Sequence, residues 1–324
     1  MTRGGARLRR SILWSALGGA GLYLVAILVS DGAEVLARVR EIPPAWIPVV
    51  VGLPTLGFLV RFVRWDVFLR ALGHVLPRAR HLRIYLAGFA LTATPGKVGE
   101  NLRAVSLAGH GVPASHSFAA FIAERLGDVV AMVLLSGLAV HLFADQGWLV
   151  VASTLATVVA LWVIRRPGVP GWLRARAPVA GFRRRALLGV AGVLEVAADL
   201  LSPRLLVLGV GIALLAWGAE GLTFGLLARL MGVDVALPTA MGIFAVATLL
   251  GAVSFLPGGV GPTEAVMVGL LIVAGANLPE ATAATLLVRA VTLWWAVLLG
   301  ILALMGLDGG GAAATPDQRG DAGA

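Results

Sequence analysis

Apolar runs along the chain outlast anything a soluble core requires. Ile12 to Ser30 is nineteen residues without a charged side chain, and a run of about 18 or more is what a bilayer-crossing helix needs. Read this way, the pattern predicts six full spans at about 12–30, 46–69, 117–143, 147–164, 204–231 and 281–306. Two further apolar regions, about 83–111 and 239–276, are interrupted by nearly the same words. The first contains Pro95-Gly96-Lys97-Val98-Gly99 and the second Pro257-Gly258-Gly259-Val260-Gly261. An arginine follows each inside an apolar helix, Arg125 thirty residues on and Arg289 thirty-two. The copies are offset by 162 to 164 positions, half of 324 residues, which marks an internal repeat with cores at about 83–143 and 239–306.

Proline removes an amide donor and disfavours helix in the residue before it, while glycine permits a reversal. The arms of the first hairpin, read as about 12 residues each, would reach roughly 18 Å. That is short of a hydrocarbon core of about 30 Å. Both regions are therefore expected to be re-entrant helical hairpins with tips at Pro95, Gly96 and Gly99 and at Pro257, Gly258, Gly259 and Gly261. Three spans separate them, so they enter from opposite faces. The expected fold is an all-α polytopic membrane protein of about six spanning helices and two re-entrant hairpins in an inverted repeat, an architecture that transporters use with the site at the repeat interface. The bland alternative is that Pro and Gly are simply common in membrane helices.

Composition agrees with the pattern: 59% of residues are hydrophobic and 13% charged, against about 25% charged in soluble domains. There is no cysteine, which excludes disulfide staples, thiolate metal sites and thiol catalysis. The net charge of +9 sorts by topology. Arg3, Arg7, Arg9 and Arg10 precede the first span, Arg70, Arg78, Arg80 and Arg83 follow the second, and seven arginines lie between Arg165 and Arg185. Links 144–146 and 232–238 carry no Lys or Arg. The positive-inside bias puts both termini in the cytoplasm of a multi-pass protein of the cytoplasmic (inner) membrane, and no nucleic-acid partner is needed to explain the charge. Residues 1–11 read as a basic cytoplasmic N-terminus, 12–306 as one transmembrane domain, and 307–324 as a disordered cytoplasmic tail. The first apolar run is read as an uncleaved span rather than a signal peptide. Residues 186–200, with Glu195 and Asp199, read as an interfacial helix.

Nine ionisable residues fall inside the spans or hairpins: Lys97, Glu100, Arg103, Glu124, Arg125, Asp128, Glu220, Glu264 and Arg289. An unpaired charge at the centre of a membrane helix costs about 2.5–3.5 kcal/mol, so the set must pair or face water. Glu100–Arg103 and Arg125–Asp128 are three apart, and Glu124 and Asp128 share a helix face. A largely self-neutralised cluster at the hairpin tips is expected. Glu124, Arg125 and Asp128 are either a structural clasp or a substrate contact. Arg125 and Arg289, at equivalent places, are candidates to bind an anionic group, and Glu264 either caps the second arm or functions. Lys97, the chain's only lysine, sits in a tip. Glu220 is lone within span five. Arg61, Arg64 and Asp66, near the end of span two, read by default as snorkelling side chains, and the nine tryptophans mostly as anchors. The five histidines show no metal-ligand spacing, and no GxxxxGK[ST], HExxH or GxSxG motif is present. No cofactor, no metal and no catalytic residue is expected.

Five stretches together carry a resemblance: Arg61-Phe62-Val63-Arg64-Trp65, Pro95 to Glu100 with Arg103, Glu124-Arg125-Leu126-Gly127-Asp128, Pro257 to Glu264, and Arg289. From about Arg61 to Gly306 the chain resembles the lysylphosphatidylglycerol synthase transmembrane-region family, the flippase-like domain proteins. That family more often has Arg where Lys97 stands, and lysine keeps the charge but not the bidentate grip on phosphate. The resemblance implies a domain that moves lipids or lipid-linked groups between leaflets. In its best-known members the domain precedes a soluble aminoacyltransferase, which a chain ending at residue 324 is expected to lack. The leading expectation is a non-enzymatic lipid translocase. Lys97, Glu100, Arg103, Glu124, Arg125, Asp128, Glu264 and Arg289 would bind a membrane lipid with an anionic or aminoacylated head group, and a separate lipid-modifying enzyme is a candidate partner. Two other readings stay open: a proton-coupled carrier of a small soluble anion or amino acid, working through Glu100, Glu264 or Glu220, and a non-transporting subunit of a lipid-modifying system.

Overall fold

A computed structural model of the protein describes residues 37, 39–92, 100, 103–178 and 180–309. The basic N-terminus, the expected first span at 12–30, the tip residues Pro95, Gly96, Lys97 and Gly99, and the tail from 310 lie outside the described residues. No strand occurs among the described residues, and the helices are α1 (Ile47–Ala71), α2 (Arg78–Gly88), α3 (Arg103–Ala108), α4 (Ala114–Ser136), α5 (Gly147–Arg165) and α6 (Gly168–Ala175). Then come α7 (Phe182–Leu200), α8 (Pro203–Leu230), α9 (Leu237–Val253), α10 (Pro262–Val273), α11 (Leu278–Arg289) and α12 (Trp295–Gly309), the last two joined by a π turn at Ala290–Trp294.

Three helices among the described residues are long and apolar enough to cross a membrane: Pro44–Ala71, Pro203–Leu230 and Leu278–Leu307. They match three of the expected spans to within three residues. The expected span at 117–143 is instead α4, which ends at Ser136 and passes into a 3-10 segment, Gly137–Gln146. The last helix continues to Gly309, past the expected start of the tail at 307. The segment read as an interfacial helix is α7, which buries Ala191, Ala197 and Leu200 and packs against α4 and α6.

Proline starts and glycine stops recur along the chain. Helices α1, α8, α9, α10 and α11 each carry Pro within their first two positions, where the missing N–H would have had no partner in any case. Asn277 adds a capping box to α11, accepting from the Glu280 amide at 2.9 Å. The ends are alike in pairs. After α1 the N–H of Gly73 donates to Arg70 and that of His74 to Leu69; after α8 Gly232 and Val233 do the same to Arg229 and Ala228. After α3 and α10 the donors are Gly111 and Val112, and Gly275 and Ala276. All four glycines have positive φ, the left-handed stop of a Schellman motif.

The two halves thus share one order: a long helix, two shorter ones separated by a break, and another long helix. Their packing is reciprocal as well. Helices α1 and α8 pack against each other, α2 of the first half lies on α12 of the second, and α9 of the second half lies on α4 of the first. Small residues allow the close approach. A Cβ at Gly57 would stand 3.1 Å from the Ala216 carbonyl oxygen, and one at Gly300 would run into the backbone of Phe89 and Ala90.

Candidate functional site

The second break is fully described. Helix α9 is 17 residues and α10 is 12, about 26 and 18 Å at 1.5 Å per residue. They pack against each other across a turn in which Gly258, Gly259 and Gly261 all have positive φ. Arg289, at the end of α11, staples this turn: its Nε donates to Glu264 Oε1 at 2.6 Å and an Nη to the Gly258 carbonyl at 2.6 Å. Glu264 Oε2 in turn accepts the Gly261 N–H at 2.6 Å. The carboxylate therefore caps the start of α10, one of the two alternatives expected for it, by satisfying an orphan amide, and it also holds the arginine.

The first break is bracketed by Thr92 and Glu100, whose hydroxyl and Oε1 meet at 2.9 Å. Gly88 lets this happen, because a Cβ there would lie 2.8 Å from the Glu100 carbonyl oxygen. Glu100 also faces Arg125 at 3.7 Å. Each half therefore pairs its tip glutamate with its downstream arginine, Glu100 with Arg125 and Glu264 with Arg289, both 164 positions apart in the repeat.

Around the first break the charges close into a ring. Arg64 of α1 meets Asp128 at 2.8 Å and Glu124 at 3.6 Å, and Glu124 meets Arg103 at 3.0 Å. Arg103 reaches Glu100 at 3.8 Å, Glu100 reaches Arg125 at 3.7 Å, and Arg125 returns to Asp128 at 3.0 Å. The four-residue spacing of Glu124 and Asp128 aims both carboxylates at Arg64. Arg103 lies with its guanidinium carbon 4.0 Å from the Trp65 ring and 4.8 Å from Tyr85, so aromatic faces stand in for some of its hydrogen bonds. Trp65 is itself oriented: its Nε1 donates to His81 Nε2 at 3.0 Å. Indole is donor only, so His81 carries its proton on Nδ1 and donates to Asp66 at 2.9 Å.

A third connection crosses between the halves. Arg61 of α1 donates to Glu220 of α8 at 2.5 Å, with its guanidinium 3.9 Å from the Trp217 ring. Arg61 and Arg64 were expected to snorkel; both are buried in ion pairs instead, because their carboxylates are on helices the sequence does not place beside them. Glu220, the one acidic residue of its helix, has its partner 159 positions away.

Between the two breaks is a cavity of about 300 Å³. Among the described residues its charged lining is Arg61, Glu100, Arg125, Asp128, Glu220 and Arg289, and Gly258 and Gly259 of the second tip also line it. Phe58, Met132, Trp217, Phe244, Leu249 and Leu293 form apolar walls. The π turn after Arg289 brings Thr292 and Leu293 to the lining, and such turns often occur at functional sites.

Residues 12–300 match the lysylphosphatidylglycerol synthase TM region family. The chain belongs to this family. It is also similar to a UPF0104 membrane protein of Methanothermobacter thermautotrophicus, 25% identical over 314 residues, covering 89% of this chain and 93% of the relative. A second UPF0104 membrane protein from that organism is 34% identical over 91 residues, 28% of this chain and 27% of the relative. The resemblance read from the sequence is thereby established.

Within this family member, the structure brings together seven of the eight residues singled out as substrate-binding. Glu100, Arg125, Asp128 and Arg289 line the cavity, whereas Arg103, Glu124 and Glu264 stand behind it and hold the lining arginines or carboxylates. Lys97 lies outside the described residues. Sequence reasoning read Arg61 as a snorkelling side chain, and kept Glu220 outside the substrate-binding set, as a lone charge and a candidate proton carrier of the alternative reading. The signal that would have pointed to them is that each is the charge deepest inside its own apolar helix.

Proposed function

We propose that this protein is a lipid translocase, in which a head group enters the charged cavity while the hydrocarbon chains stay in the bilayer. The observation that supports this is a small cavity with both signs of charge, set between two breaks in apolar helices that the internal repeat makes equivalent. At about 300 Å³ the space is at the low end for small-molecule sites and suits a head group rather than a whole lipid. In this proposal the two broken hairpins enter the membrane from opposite faces as an inverted repeat, and alternate opening beside each tip exposes the cavity to one leaflet and then the other. Arg125 and Arg289 offset the phosphate, and Glu100 and Glu264 hold the arginines between visits. Both termini face the cytoplasm, and no covalent step is involved.

The test is leaflet exchange of acyl-labelled phospholipids in proteoliposomes, with Arg125→Ala, Arg289→Ala protein that still elutes as a folded monodisperse species. Native exchange that falls by about tenfold or more in the double variant supports the site. Equal exchange by a folded variant removes both arginines from the mechanism. A carrier of a small soluble anion or amino acid would suit the same volume. Uptake of such a solute into lipid-only vesicles, with no lipid exchange, would favour that reading.

A further inference from the structure

Helix α9 stops on backbone that a phenylalanine rarely adopts. Phe255 has φ of 54° and is the one non-glycine residue with positive φ among the described residues. Helices α1, α8 and α10 stop on Gly73, Gly232 and Gly275 in the left-handed region, which glycine enters freely and a bulky side chain only under strain. Ser254 holds the strained residue from both sides. Its Oγ donates to the Gly251 carbonyl at 2.6 Å and accepts the Leu256 N–H at 3.2 Å. Strain of this kind persists where the surroundings fix it, and it clusters at ligand clamps and switch regions.

The ring gains little burial in return: Phe255 is 72% exposed and Val253 70%. A ring needed only to face lipid could sit anywhere on ordinary helical backbone, so what the strain secures is its place. That place is the rim of the cavity. Ala252 and Leu256, on either side of Phe255 in the chain, line the cavity together with Phe244 and Leu249 of α9. Leu256 is also 47% exposed, so one side chain belongs both to the cavity wall and to the outer apolar strip.

Resting on the translocase reading, we propose that Val253, Phe255 and Leu256 form a subsite for the hydrocarbon chain of the lipid whose head group occupies the cavity. The chain lies across the Phe255 ring and leaves the cavity over Leu256. The contact is one of many small dispersion terms, which a ring fixed by its own backbone collects better than a mobile one. The strip therefore selects for the presence of a chain, and the charged cavity for the head group.

The chain contains no cysteine, so a bimane on Val253→Cys reports this strip alone. A bimane on Val207→Cys, on α8 and 73% exposed, reports ordinary contact with the surroundings. The measurement is the quenching of each label, in detergent micelles, by an equimolar mixture of phosphatidylglycerol and phosphatidylethanolamine brominated along their acyl chains. At Val253 quenching should saturate, with its midpoint at about a tenth of the lipid fraction that half-quenches the Val207 label. In the Val253→Cys background, Phe255→Asn, which tolerates left-handed backbone, should lose the saturation and Phe255→Leu should keep most of it. Quenching in simple proportion to lipid at both labels overturns the proposal, and so does saturation that survives Phe255→Asn. Nothing has to be transported for this readout. Saturable quenching by a protein that exchanges no lipid keeps the subsite and removes the translocase reading, whereas lipid exchange with proportional quenching does the reverse.

Discussion

Glu124 has no exposure and stands between Arg64 and Arg103 at 3.6 and 3.0 Å. Replacing it with Gln leaves two buried guanidinium groups sharing a neutral amide, and breaking a buried pair in this way costs about 3–5 kcal/mol. Thermal unfolding followed by tryptophan fluorescence should show a large loss for Glu124→Gln. The surface pair Arg174–Glu195 is the contrast, since both side chains are nearly half exposed, and Glu195→Gln should leave the transition where it was. His74, in the link between α1 and α2, donates or accepts at 2.8 Å with His116. Partial burial, and then the neighbouring His116, push its pKa below the ordinary histidine value. A folded pKa lowered in this way means the unfolded chain binds the proton more readily. The contribution to stability is complete above about 6.5, the unfolded value, and is lost as pH falls from there through the lowered folded value. Melting temperatures measured from pH 7.5 down to 5.5 should decline, and less steeply in His74→Gln protein. The ion-pair partners at this scale were only partly legible. Glu100–Arg103 and Arg125–Asp128 are three apart and show in the sequence, but Arg61–Glu220 joins residues 159 apart and nothing local predicts it.

At the scale of elements, the second break depends on backbone that only glycine adopts easily. Gly261 has φ of 95° and ψ of −73° at the entry to α10. Gly261→Ala should cost about 1–3 kcal/mol through strain at that position and, by shifting Glu264, loosen Arg289. A fall in lipid exchange larger than the fall in unfolding temperature would be the signature. Gly300 on α12 is a different case, since its φ is unremarkable and its neighbours are not. An added Cβ would meet the backbone of Phe89 and Ala90, which cannot rotate away, so Gly300→Ala should destabilise by about 1–3 kcal/mol through overpacking. The first was legible, because a Pro-Gly-Gly-Val-Gly run inside an apolar stretch has few other uses. The second was not: a glycine in an apolar helix says nothing about which helix will lie against it.

For the whole molecule, orientation is the property most directly testable, because the chain contains no cysteine and any introduced thiol reports alone. Asp234, exposed between α8 and α9, and Arg176, exposed after α6, are on opposite faces in the expected topology. An impermeant maleimide should label Asp234→Cys on intact cells and Arg176→Cys only after permeabilisation. The reverse would turn the molecule over and exchange the faces from which the two hairpins open. What the sequence by itself determined is the local chemistry: apolar runs long enough to seek a bilayer, Pro and Gly at the same two breaks, the arginine after each, and a family. These depend on residues close in the chain, where periodicity and backbone preference act. What only the tertiary structure decided is which charge meets which, and that Arg64 and Arg61 are buried inside rather than reaching for water. Those outcomes depend on α1 meeting α4 and α8, and burial in a low-dielectric interior makes each charge accept the nearest opposite one, however far away in sequence it began.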